Sequence, residues 1–199
     1  MWVRGAAIRP VPTFAVVGKS ILDSVEHELA DDSALAQGEL DRAFARFEAT
    51  QPDLADTISH VLSKPLDETA LALGYFLSIA IWLAFERTFG PSRLRAVSCD
   101  ALNATDEAIR LEEELRAAKG DEPLDLDDIV SVQQPNVLAF VHEHVEAALD
   151  IRDAGGPEGD IDVDDVHSVY RAVVLLTLCL SHAVVPIDDT SRGSAELIA

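Results

Sequence analysis

The sequence predicts an all-α fold, a helical bundle of about six or seven helices, and three observations carry that expectation. Apolar residues recur three or four positions apart along most of the chain, and no stretch alternates with the period of two that a half-buried strand requires. Residues 69–85 and 172–187 contain no Asp, Glu, Lys or Arg at all, so each reads as a helix enclosed on every side. Finally, Gln51-Pro52-Asp53-Leu54 recurs as Gln134-Pro135-Asn136-Val137. With these two stretches superposed, Leu54, Ile58 and Leu62 fall on Val137, Val141 and Val145, so the apolar stripe is kept. A slightly longer spacing places Asp67-Glu68 on Asp164-Asp165 and Pro91 on Pro186. The bundle is therefore expected to consist of two related helical hairpins, with repeat halves at about 40–91 and 94–186.

Residues 1–12 carry Pro10 and Pro12, which block helix, and read as an extended N-terminal arm with Trp2, Val3 and Ile8 available to lie across the body. Thr13 reads as the cap of a first helix whose apolar positions are Phe14, Val17, Ile21, Val25 and Leu29. Leu40, Ala43, Phe44 and Phe47 give a short second helix. The third runs from Thr50 to Leu62, with Thr50 and Asp53 spaced like a capping box around Pro52. A fourth, over 67–89, is apolar all round and stops at Gly90-Pro91. Residues 92–119 read as a long amphipathic helix, 120–128 as a connection, and Ile129-Val130 as a turn of helix. Helices over 135–150 and 164–185 follow, joined by a Gly-rich acidic loop at 155–160. The single helical domain thus spans 13–187, and 188–199 read as a flexible tail.

A length of 199 residues with 48% hydrophobic composition suits one compact core. Thirty-six acidic against fifteen basic side chains give a net charge of −21, which repels nucleic-acid phosphates, so no nucleic-acid partner is expected. The two uncharged stretches fall short of the ~20 residues that span a bilayer and lack flanking Lys/Arg clusters, so no membrane partner is expected either. Cys99 and Cys179 form no CxxC pair, and Met1-Trp2-Val3-Arg4-Gly5 leads into Arg9, Pro10 and Pro12 rather than an apolar run. A cytoplasmic location without a secretory signal is the expectation.

Few constellations carry chemistry. Gly18-Lys19-Ser20 resembles the end of a phosphate loop, but Thr13 stands where a Walker A motif needs glycine. Asp164 with His167, and Cys179 with His182, each place two ligand types on one helix face, and two do not make a site. The Glu-x-x-His motif of di-iron bundles is absent, so neither a metal nor a cofactor is expected. His142 and His144 diverge around their helix, and His144 shares the stripe of Val137 and Val141 as a core histidine. Gln51 and Gln134 read as caps of the helices that follow them.

Glu86 and His182 are the candidate site pair. Each is the first ionisable group at the C-terminal end of an otherwise uncharged helix, and the repeat makes them near-equivalent. The functional expectation is a non-enzymatic acidic interaction or assembly protein, homodimeric because a second chain would cover two all-round apolar helices. The alternative is a small-ligand-binding protein or enzyme with a polar pocket around Glu86 and His182. An acidic mimic of DNA is a third reading.

Overall fold

The computed structural model describes residues 8–29, 34–117, 133–153 and 163–187. The described residues are helical apart from short extended segments and turns, and among them no strand forms beyond one isolated antiparallel bridge, Leu94 with Val184. Among the described residues seven α-helices follow one another: α1 Lys19–Leu29, α2 Ala34–Thr50, α3 Pro52–Leu62, α4 Glu68–Phe89, α5 Cys99–Ala117, α6 Pro135–Asp153 and α7 Val163–Ala183.

The two uncharged stretches become α4 and α7, which pack along each other at the centre. Both are long and apolar enough to cross a membrane, and two-thirds of each apolar window is buried within the chain itself. α1 lies on α4 and α5 on α7; α3 reaches across to α7 and α6 across to α4; α1 meets α6 and α3 meets α5. α2 covers α1, α3 and α4. The close approach of α4 and α7 depends on Gly74, where an added Cβ would lie 2.6 Å from Leu62 Cδ2 and 3.2 Å from Val169 Cγ2.

Helix α4 begins where its charge pattern predicts. The Asp67 carboxylate accepts the Ala70 N–H at 2.8 Å, and the Asp67 N–H donates to Asp165 of α7 at 2.8 Å, so the starts of the two central helices are tied together. At the other end Gly90, with φ of 68°, turns the chain in a conformation a side chain would disfavour.

Three boundaries differ from the sequence expectation, each for a local reason. Thr13 does not cap a long helix: Thr13–Ala15 is a single 3₁₀ turn, and α1 starts only at Lys19. The residues between are extended because the side chains of 134 and 136 satisfy their backbone groups, as described below. Likewise α5 starts at Cys99 rather than Ser92, since residues 93–95 pair with 183–185 through Arg95 N–H to Ala183 O (3.2 Å) and Val185 N–H to Arg93 O (2.8 Å). Thr50 does not form a capping box, because its hydroxyl donates back to Arg46 O within α2, and α2 is longer than the sequence pattern showed. The arm at 1–7, the connection at 120–128, the turn at Ile129-Val130, the loop at 155–160 and the tail at 188–199 lie outside the described residues.

Candidate functional site

Two glutamines organise the end of the bundle where the candidate site lies. The side chain of Gln134, 0% exposed, donates to Ala15 O at 2.6 Å and accepts the Val17 N–H at 3.1 Å. Gln51, 1% exposed, donates to Arg95 O at 3.0 Å and accepts the Val97 N–H at 2.8 Å. Each amide thus grips residues i and i+2 of an extended segment, as a neighbouring strand would. The expectation that these glutamines cap their own helices is corrected: Gln51 makes no side-chain cap bond to α3. A cap needs one bond to its helix, whereas a buried amide must satisfy both ends, and only the extended segments offer a carbonyl and an N–H together.

The first of those segments is a strap over residues 8–18. Pro10 and Pro12 keep it out of helix, and four of its backbone groups are met by Gln133, Gln134 and Asn136 at the start of α6. Gln133 accepts the Val11 N–H at 2.7 Å, and Asn136 donates to Val17 O at 2.8 Å. Ile8, Val11, Ala15 and Val17 are buried along it. Gln134 also donates to the Ser181 hydroxyl at 2.9 Å, which fixes the strap to the last turn of α7. His182 follows directly, and its Nε2 lies 3.3 Å from Pro10 O. Because a carbonyl can only accept, Nε2 carries the proton in this contact.

Together the strap, the segment after α4, the start of α5 and the end of α7 line an open cavity of about 260 Å³, with Arg9, Arg95, Ser98, Thr105, Cys179 and His182 among its residues. Burial pushes the His182 imidazole below its ordinary pKa, and the nearby Arg9 charge acts in the same direction, against the hydrogen bond to Pro10. Burial pushes the Cys179 thiol up to about 11 despite a hydrogen bond with Thr105, so it stays protonated at neutral pH and is no nucleophile. Ser98 sits at the start of α5, where its Oγ accepts the Ala101 N–H at 3.3 Å and keeps its own hydrogen free to donate.

Glu86 lies elsewhere. It lines a separate cavity of about 230 Å³ with Thr50, Gln51, Trp82 and Leu94 and pairs with Arg46 at 3.0 Å. The Arg46 guanidinium stands over the Trp82 ring, 5.7 Å from its centroid. Trp82 is 1% exposed, and its buried indole N–H has no hydrogen-bond partner among the described residues. The cavities of Glu86 and His182 share no lining residue, so the structure does not bring the pair together. A third cavity, about 270 Å³ between α3, α5 and α7, contains Lys64, Asp106 and Arg171; Arg171 is held by Asp106 (2.9 Å) and Glu113 (3.0 Å).

His144 bonds through Nδ1 to Phe140 O at 2.8 Å and lies 3.4 Å from Glu26, while His142 contacts the Tyr170 hydroxyl at 3.3 Å. Among the described residues no three His, Cys, Asp or Glu side chains converge as metal ligands would. Arg9, Arg95 and Ser98 had no signal in the sequence: they come from segments far apart in the chain, and no motif links them. No protein-family model, no curated protein and no solved structure matches this chain.

Proposed function

We propose that this chain is a non-enzymatic ligand-binding helical protein whose ligand seat is the cavity at the end of α7, around His182. The observation that carries this reading is convergence: the strap, the segment after α4 and the last turn of α7 each deliver a basic side chain, Arg9, Arg95 and His182, to one cavity. Concave sites with a few converging polar groups on a largely apolar frame are where small molecules bind. A binding role rather than a catalytic one is supported by the protonated Cys179 thiol, the one nucleophile-bearing side chain buried there. Glu86 has no part in this seat; its carboxylate serves Arg46.

The same reading includes an internal duplication. Two glutamines, each one residue before a proline, hold extended segments in the same i, i+2 manner, and each segment leads into α1 or α5. If α1, α3 and α4 correspond to α5, α6 and α7, the helix contacts correspond too: α1 on α4 with α5 on α7, α3 on α7 with α6 on α4, and α1 on α6 with α5 on α3. Each glutamine holds the segment of the other half, an exchange that ties the halves into one body.

An amide-resolved nuclear magnetic resonance titration with a panel of charged and neutral metabolites tests the seat. Shifts clustered at residues 95–105 and 179–185 are expected. Shifts confined to the Glu86 cavity, or none from any compound, would overturn the reading.

A further inference from the structure

Resting on the proposed seat around His182, we infer that its ligand is an oxyanion, a phosphate or small carboxylate dianion, held between Arg9 and Arg95 with Ser98 as a further donor. Charge makes the first argument. Acids outnumber bases 36 to 15 in this chain, yet among the described residues no Asp or Glu lines the cavity, whereas three other cavities carry Glu86, Asp106, or Asp23 with Glu143. A cavity that excludes the commonest charge on the molecule has its own electrostatic character, suited to negative charge.

Pairing makes the second argument. Arg46, Arg87 and Arg171 are each engaged by a carboxylate at 2.6–3.0 Å, while Arg9 and Arg95 pair with none among the described residues. A guanidinium presents a planar fork of N–H donors that matches the two oxygens of a carboxylate or phosphate. The backbone of Arg95 is fixed on both sides, its carbonyl by Gln51 and its N–H by Ala183, and Arg9 adjoins Pro10, whose carbonyl contacts His182. Two forks on fixed backbone lose less freedom on binding than two on loose chain.

Size restricts the class. About 260 Å³ is near the lower end for small-molecule sites, which fits a phosphomonoester or a short dicarboxylate rather than a nucleotide. Ala101 and Val185 offer apolar wall for a short carbon body.

Isothermal titration calorimetry at fixed ionic strength tests the inference with three probes: inorganic phosphate, succinate and the neutral diamide succinamide. Phosphate, succinate or both should bind and succinamide should not, with Arg9→Gln and Arg95→Gln each weakening the bound dianion about tenfold, the worth of one charge-assisted bond. Both positions are exposed, so circular dichroism of the variants should match the parent. Succinamide binding as tightly as succinate, or dianion affinity unchanged in both variants, would overturn the oxyanion while leaving a ligand seat in place. No heat from any probe also overturns it, and the seat itself falls only if the amide titration above is silent as well.

Discussion

At the scale of single residues, Gln51 and Gln134 determine how the chain closes on itself. Replacing either by Leu keeps its volume and removes both ends of the amide, leaving a buried backbone carbonyl and N–H at a cost of about 1–3 kcal/mol for each orphaned group. Gln134 also satisfies Ser181, so Gln134→Leu should cost more than Gln51→Leu in urea denaturation. Equal stability of both variants and parent would show that the clips contribute nothing. His182 gives a second prediction. Its depressed pKa means the folded state prefers the neutral ring, so the unfolded chain takes up the proton first as pH falls. The stability this gives is intact above about pH 6.5, the ordinary histidine value, and is lost below it. Between pH 8 and 5.5 the urea midpoint of His182→Gln should therefore fall less than that of the parent, the amide keeping a donor for Pro10. Parallel declines would mean that His182 is not desolvated.

At the scale of elements, much was legible and the exceptions have definable causes. Residues 69–85 and 172–187 declared themselves as central helices because an uncharged surface has to be enclosed, and they became α4 and α7. Pro52, Pro135, Asp67 and Gly90 marked boundaries that the structure keeps within a residue or two. The misread segments were 13–18 and 92–98, whose apolar spacing mimics a helix. Their extended state comes from Gln134, Gln51 and residues 183–185, tertiary partners that a local pattern cannot show. The site was half legible for the same reason: His182 stood out against an uncharged helix, but Arg9 and Arg95 acquire meaning only once the strap is laid over α7. Gly74 supplies the element-scale prediction. It lets α4 approach α7, and Gly74→Val would drive a branched side chain into Leu62 and Val169, at an overpacking cost of about 1–3 kcal/mol. A midpoint equal to the parent's in guanidinium denaturation would show that α4 and α7 are further apart than described.

At the scale of the whole molecule, two facts set the behaviour: a net charge of −21 and a core enclosed by its own chain. The sequence motive for a homodimer was the need to cover α4 and α7, and their neighbours within the chain bury two-thirds of each apolar window. With that much cover from a single chain, light scattering after size exclusion should give one chain per particle, at low and high salt alike. A stable dimer at either salt would return the assembly reading to the front, with the exposed Leu111 and Leu115, one turn apart on α5, as a first place to look. The central claim is that the cavity around His182, which among the described residues has no carboxylate in its lining, holds a ligand. Its most direct test is native mass spectrometry of the protein as purified from cells, beside the Arg9→Gln, Arg95→Gln double variant. A small bound mass is expected on the parent, leaving on denaturation and missing from the double variant. The same bound mass on both proteins would contradict it, because the ligand would then sit away from Arg9 and Arg95.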